Sequence, residues 1–593
     1  MAIGLSAEQV PTSIYYGIDD RISWGFLTQL ESDQDRVRDW FKVFFDEAEY
    51  NKARRSHPHP EELPPSHADV RKYYEDFLRK LYPHIKKSLI DNVRDWNTAH
   101  VEFLFSVPTT WTKLGLAQDL KTIACRAGFG SDSRNHIVDV SLTEAEAAAV
   151  YTFNSQNAVY SDGDVLLTVD AGGGTTDVAL LKVAEASGDG ASLRSLDQVR
   201  GDEIGSVEID IEFADLVEKR LMAAKKDLNM APHTIRKLAE KMSRSPTGFR
   251  RCKENFGTED SLTFPEFEIE MPGCPDTFSL PSAKVIRGRM IFSQAEIRAL
   301  FDRQIEKMFD LIDFQMKRMD TEASNERITH LVLSGGLGSS QYVKDRLTQR
   351  YTVDRVHRRA PELRVMSSTV PQLAVVKGIV QNRMRKLKTA KSVLRTRTCR
   401  QSLGVLCIQR YNPRNVAHQQ AQLHKCPIEN KTYANDQVIW FVKQGQQIDQ
   451  DEDHVDHEFW RRFLKGKCKP WEDRIVICNS GAKDLPNSFK SNEGAVKMLC
   501  TMRSDLTSVP YSDFEKRKKR WWRWWNKYET HYRADFTIRF QLKPASIDTQ
   551  LLFKGQRYNT PNSFTVQWDE GVNMAAPKEH RSDTHNNSSR HRG

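Results

Sequence analysis

At 593 residues, with 39% hydrophobic and 28% charged side chains and a net charge of +9, the chain has an ordinary globular composition and too much length for one core; about two to four domains are expected. It holds no run of about 18 apolar residues, and MAIGLSAEQV is not a basic start leading into an apolar stretch, so neither a membrane span nor a signal peptide is expected, and the location expected is cytoplasmic, with nuclear as the alternative. Nine scattered cysteines without a CxxC pair and 17 histidines without ligand spacing argue against a disulfide framework or a zinc site, and a positive excess confined to the C-terminal third does not by itself imply nucleic acid.

SIYYGI and ISWGFL read as strands and VRDWFKVFFDEAEY as an amphipathic stretch. The loop RRSHPHPEELPPSH separates these from a helix, VRKYYEDFLRKLYPHIKKSLI, apolar at every third or fourth position. From Val101, strands alternate with helices: VEFLFSVP, then LGLAQDLKTIACRAGF, then HIVDVSL, then a helix that Thr143 caps and Glu146 closes as a capping box. DVLLTVD and TTDVALLKV flank a glycine turn. Residues 210 to 325 are mainly helical around a β-like insertion, TFPEFEIEMPG. The last of these helices opens with a second box, Ser293 to Glu296, and puts Ile297, Leu300, Phe301, Ile305, Met308 and Ile312 on one face. ITHLVLSGGLGSSQYVKDRL and the helix LAVVKGIVQNRM complete an α/β pattern. After Met384 a basic connector leads into short alternating runs, VIWFVKQGQQI, DRIVIC, ADFTIRFQL and NSFTVQW, which predict a β-rich domain. The polar end, APKEHRSDTHNNSSRHRG, is expected to be disordered.

The strongest chemical signal is LLTVDAGGGTTDVALL. An apolar strand delivers Asp170, three glycines turn the chain, and Thr175, Thr176 and Asp177 begin the return strand. Glycines let backbone amides approach a phosphate, and two carboxylates beside one turn can hold a hydrated magnesium. A plain hairpin with surface aspartates is the rival reading for the glycines alone; Asp170, Thr175 and Asp177 in register favour phosphate binding. In THLVLSGGLGSSQYVKDRL a buried strand meets Gly335 and Gly336, and a helix starts near Ser339 or Ser340, an arrangement that suits a nucleotide's sugar or phosphate. FEKRKKRWWRWWNKYE, residues 514 to 529, mixes Arg, Lys and Trp. A helix packing its tryptophans on the β-rich domain is favoured there over a membrane-binding, nuclear-import or nucleic-acid role.

These two glycine motifs, about 165 residues apart, resemble the second phosphate and adenosine motifs of the actin, hexokinase and heat-shock-protein-70 superfamily. FLFSVPTTWT and SLTEAEAAAVYTF resemble the heat-shock-protein-70 pattern, and IYYGIDDRISWGF, DWFKVFFD, VRGDEIGS, LAVVKGIV and WFVKQGQQI resemble its divergent fungal members, over roughly residues 11 to 450. The resemblance implies a two-lobed, actin-like ATPase fold of ribonuclease-H-like α/β type. Lobe I would span 1–157, lobe II 158–370 and a return helix 371–388, before a β-rich, substrate-binding-like domain at 389–570 and a tail at 571–593. It implies ATP or ADP with magnesium as cofactors, polypeptide clients or co-chaperones as partners, no specific nucleic acid, and lobe closure that controls the C-terminal domain. Asp170 and Asp177 would be the metal and catalytic carboxylates. Gly172, Gly173, Gly174, Thr175 and Thr176 would line the phosphates, Gly205 and Ser206 would face them, and Gly335 and Gly336 would flank the adenosine. Glu144 would couple the metal site to the hinge and Lys42 would be the catalytic lysine; an ordinary helix acid and a solvated lysine are the rival readings. Lys253 would lie on the adenine side, although Arg250 and Glu254 reverse the family's charges there. The family's first phosphate hairpin, D-x-G-T-T-x-S, has no counterpart in these residues. Hydrolysis is therefore expected to be weak or absent, and a non-hydrolysing scaffold or, less favoured, a small-molecule kinase are the alternatives.

Overall fold

Strands and helices together make up a mixed α/β chain, some of the helices being capped by side chains. The computed structural model describes residues 9–39, 41–56, 60, 63–111, 114–156, 159–186, 188, 191–245, 247–321, 326–426, 430–452, 454–490, 494–517, 531–543, 547–558 and 564–568. The chain divides into two units: residues 1–398, 447–454 and 542–547 form the first, and 399–446, 455–541 and 548–593 the second.

The first unit opens with β1 (Ser13–Tyr16), β2 (Ile22–Trp24) and β3 (Val37–Asp39), an antiparallel sheet ordered β2-β1-β3. The stretch VRDWFKVFFDEAEY, amphipathic by sequence, is three things: the whole of β3, a single turn at Val43–Phe45, and the start of α1 (Glu47–Ser56). Its aromatic residues explain the difference, because Phe41 and Phe45 are anchored individually in a core. Phe45 stacks on Trp111 at 4.7 Å, and both phenylalanines pack on Tyr74 of α2 (His67–Ile90). Ser66 caps α2 by accepting the Asp69 N–H, and Val70, Tyr73, Tyr74, Phe77 and Leu78 form its buried stripe. β4 (Val101–Val107) and β5 (His136–Thr143) pair in parallel across α3 (Leu114–Arg126). α4 (Glu144–Ser155) follows β5 directly, with the expected Thr143–Glu146 capping box present in both directions.

The central sheet of the first unit is built on β6 (Val165–Ala171), every residue of which is buried. Val165, Leu167 and Val169 face one cluster and Leu166 faces another, which is why the strand reads as an unbroken apolar run. β6 pairs antiparallel with β7 (Thr176–Glu185), which pairs with β8 (Ser192–Ser195) and with β9 (Arg200–Asp202). On the other side of β6 the strand His330–Ser334 runs parallel and pairs in turn with Arg364–Ser367. α5 (Ser206–Ala223) and the helix Gln294–Thr321 pack beneath; all six residues predicted for that helix's apolar face are buried, and Ser293 and Glu296 exchange the expected capping bonds. Among the described residues no helix is long and apolar enough to cross a membrane.

The second unit consists of two β-sheets. One has the order Leu423–Lys425, Thr432–Val442, Ser402–Arg410, Trp471–Cys478, Val496–Ser504, Phe564–Trp568. The other runs Val455–Leu464, His531–Leu542, Ile547–Phe553, Gln556–Arg557, with Glu515–Arg517 also pairing with His531–Leu542. The boundary expected at residue 389 falls instead after Thr398, because Leu394–Thr398 extends the central sheet beside β8. Gln447–Asp449 pairs with that same strand and so also belongs to the first unit. Of the Trp- and Arg-rich run, Phe514 is buried and Glu515–Arg517 are strand where the sequence predicts a helix. Residues 518–530 and the tail 571–593 lie outside the described residues.

The helix Ala374–Thr389 lies against α4 so closely that a Cβ on Gly378 would sit 2.7 Å from the Ala147 carbonyl carbon. The alanines of α4, Ala145 and Ala147 to Ala149, are all buried. Gly378→Ala is therefore expected to destabilise the protein by about 1–3 kcal/mol through overpacking, outweighing the ~1 kcal/mol that Gly→Ala gives in an open helix. Denaturant unfolding of the full chain checks this; a higher midpoint in the variant contradicts the close packing.

Candidate functional site

The antiparallel register of β6 and β7 sets Asp170 directly opposite Asp177 and Ala171 opposite Thr176. The chain then has only Gly172 to Thr175 in which to reverse, and the Gly172 N–H donates to the Thr175 carbonyl at 2.9 Å. Both carboxylates are buried, Asp170 at 8% exposure and Asp177 at 1%. Asp170 accepts the Ser334 hydroxyl at 2.8 Å, because Ser334 is its neighbour on the parallel strand. Asp177 accepts the Thr109 N–H at 3.4 Å. The expected pair of aspartates beside one glycine turn is thus present, in a sheet and not on a surface hairpin.

Gly205, the residue before α5, faces this turn. A Cβ there would lie 2.7 Å from the Gly174 nitrogen, so only glycine allows the approach. The first N–H groups of α5 spend themselves on the turn, Ser206 donating to the Gly172 carbonyl at 3.2 Å and Val207 to the Gly173 carbonyl at 2.9 Å. Gly205 and Ser206 therefore do face the 172–174 turn, but the Ser206 N–H is already used by the protein. Thr176, expected to line phosphates, is fully buried and donates its hydroxyl to the Ile204 carbonyl. Thr175 is half-buried at the turn, and Gly173 has room: a Cβ there would find its nearest neighbour, Val207 Cγ2, 3.9 Å away.

Lys42 and Glu144, 102 residues apart, meet at 2.7 Å beside the two aspartates. Loss of solvent opposes the Lys42 charge, but the Glu144 carboxylate, with Asp177 adding to it, holds the ammonium above the usual lysine range. Burial and the Glu144 charge push the Asp170 carboxyl up to about 6, while the Ser334 hydrogen bond and Lys42 pull it down. Glu144 and Lys42 are thus paired with each other, while the Lys42 side chain keeps 41% of its surface accessible. Gly335 follows Ser334 with a φ of +82°, and a Cβ on it would lie 2.8 Å from Asp170 Oδ1; Gly336 has open space around it. The following helix starts at Gln341 after Ser340, as expected.

Lys253 is turned inward. Its ammonium donates to both oxygens of Asp210 at 2.7 Å and to the Ser206 carbonyl at 3.3 Å, stapling the helix Phe249–Asn255 to α5. Arg250 and Glu254 pair with each other one turn apart. Sequence reasoning misses Gly201, where a Cβ would collide with the Asp177 carboxylate, and Asp210, the Lys253 partner. The first lies within VRGDEIGS; the second has only its place one turn into α5 to mark it. Among the described residues no group of three or more His, Cys, Asp or Glu is placed to hold a metal ion by itself.

Residues 397–570 match the family described as Domain of unknown function (DUF8568). The match takes in well under half of the chain, begins within two residues of the second unit, and does not reach the candidate site. No curated protein matches the chain.

Because the Asp170 carboxyl is raised from 3.8 to about 6, its protonated form is the one the fold favours. The associated stability is complete below the unfolded value and lost as pH rises through 6, so the ionised carboxylate is a burden at neutral pH. Asp170→Asn is expected to melt like the parent near roughly pH 4 and to be more stable, by up to about 3 kcal/mol, near pH 8. An Asn variant that gains nothing between those two pH values would show that the carboxyl is not held in an unfavourable environment.

Proposed function

We propose that the first unit binds ATP or ADP with magnesium at the Gly172–Thr175 turn, as a divergent, heat-shock-protein-70-like member of the two-lobed, actin-like superfamily. The observation that supports this most is the convergence on one turn of residues far apart in sequence: Lys42, Glu144, Asp170 with Asp177, Gly205, and Gly335 beside Ser334. Asp170 and Asp177 would hold the metal. Magnesium keeps most of its water and takes one or two carboxylates together with phosphate oxygens, which suits a site with two facing aspartates and, among the described residues, no three-residue cage. Bound there, the ion would neutralise phosphate charge. Lys42, held protonated by Glu144, would add a second positive charge on the same side, and the glycines at 172–174 would leave room for phosphate against the backbone.

Polypeptide clients or co-chaperones are the partners this reading assigns to the β-rich unit, with nucleotide biasing its behaviour through lobe closure, in the cytoplasm or nucleus. A nucleotide-binding scaffold without turnover is the second reading. It is favoured by the Ser206 and Val207 N–H groups and the Thr176 hydroxyl, which are engaged by the protein itself and so are withdrawn from phosphoryl transfer.

Calorimetry with magnesium-ATP and magnesium-ADP tests the proposal. Binding is expected for the parent, tightening as pH rises through 6 and Asp170 ionises. Asp170→Ala should weaken it about 10- to 100-fold, the cost of one charge-assisted contact. Gly173→Ala should fold like the parent, since its surroundings leave space, yet bind less well. No heat with either nucleotide at millimolar concentration ends the nucleotide reading; binding without phosphate release selects the scaffold over the ATPase.

A further inference from the structure

The sheet Val455–Leu464, His531–Leu542 of the second unit has an aromatic inner face, where Phe459 and Phe536 stack, and a charged outer face. On the outer face Trp460 keeps 43% of its surface accessible, with the guanidinium of Arg462 4.6 Å and that of Arg533 5.3 Å from its ring centre. Its strand is an edge: among the described residues Val455–Leu464 pairs only with His531–Leu542.

Four residues beyond Trp460, about 13 Å along the strand, the chain turns through LKGKCKP and exposes Lys465, Lys467 and Lys469. The register brings a second basic element to the same end. His531 pairs with both Leu464 and Arg517, and Lys516 pairs with Tyr532. The turn is fixed there by the Gly466 N–H donating to the Tyr511 hydroxyl at 2.9 Å. Arg517 is balanced by Glu515 and Arg533 by Asp535, but among the described residues none of the four lysines has a carboxylate within ion-pair distance. Lys516 shares the inner face with Tyr532, so the three lysines of the turn, at one end of the sheet that carries the indole, leave a strip of positive charge with one stacking surface.

We propose that this strip binds single-stranded nucleic acid, an unpaired base stacking at Trp460 and the following phosphates lying on Lys465, Lys467 and Lys469. With guanidinium groups lying over the ring, a base would stack on the part of its surface that stays accessible, a contact that is sequence-tolerant and open only to unpaired bases. The carboxylates beside it speak against a lipid surface. Asp535 lies opposite Trp460 and Glu458 is exposed on the same face; both resist burial among anionic headgroups, whereas either can accept the amino group of a base. The inference does not depend on the nucleotide site of the first unit.

The test is fluorescence anisotropy of short labelled oligouridylate and oligodeoxythymidylate with the full chain, over a range of salt. The run at residues 518–530 is left unchanged in every variant, so that any loss belongs to the residues named. Replacing Lys465, Lys467 and Lys469 with Gln should lower the salt slope by about two, at ~0.7 per phosphate contact. Trp460→Ala should weaken binding about tenfold with the slope unchanged, and Trp460→Phe should restore much of it. Matching thermal melts show that the variants are folded. Binding to neither oligonucleotide at low salt overturns the proposal, as does binding that both sets of substitutions leave untouched. Retention on phosphatidylserine vesicles that depends on Trp460, with no oligonucleotide binding, overturns it in favour of a membrane surface.

Discussion

Two backbones touch at Gly173 and Gly205, and the geometry of the first unit follows from that contact. The N–H groups that begin α5 need acceptors, and the glycine turn between β6 and β7 supplies two carbonyls at the required distance. A side chain on Gly205 would hold the helix away from the turn, leave those N–H groups unsatisfied, and separate the residues gathered on either side. With the contact made, α5 packs Ile209, Phe213 and Val217 under β6, and the same helix presents Asp210 to Lys253. One close approach between glycines thus fixes the helix, the hairpin and the adjacent ion pair together.

The charges at the site are arranged unequally. Lys42 is matched to Glu144, while Asp170 has a hydroxyl and a more distant cation against the repulsion of a neighbouring carboxylate. A protein that needed only to fold would gain by placing a neutral side chain at Asp170. Buried carboxylates with perturbed titration cluster at functional sites.

Much of this is legible in local patterns. The two capping boxes involve residues three apart, and both are formed; the apolar face of the helix Gln294–Thr321 depends only on helical spacing. The facing of Asp170 and Asp177 is nearly forced by two strands joined through so short a turn. What is not legible depends on contacts between distant segments. Gly201 and Gly378 look like any glycine until Asp177 and Ala147 arrive beside them. Lys253 carries no mark of Asp210, 43 residues earlier. The strand at Leu394–Thr398 reads as the basic start of the β-rich region, because its strand neighbour, β8, lies about 200 residues upstream. The stretch after β3 misleads because large aromatics in a row satisfy a helical period as readily as they fill separate pockets in a core.

The path of the chain between its two units has a thermodynamic side. Gln447–Asp449 is held in the central sheet of the first unit, and residues 542–547 belong to that unit as well. The stretch from Cys399 to Gln446 therefore starts and ends on one folded body, and so does the stretch from Val455 to Gln541. While the first unit is folded, these two stretches of an unfolded second unit are closed loops, not free chains, and their conformational entropy is correspondingly smaller. The β-rich unit thus begins with part of its ordering already done, as a cross-linked chain does, without a disulfide. Its stability is a property it borrows from its neighbour, and anything that loosens the central sheet at Leu394–Thr398 lengthens those loops and returns the lost entropy to the unfolded state.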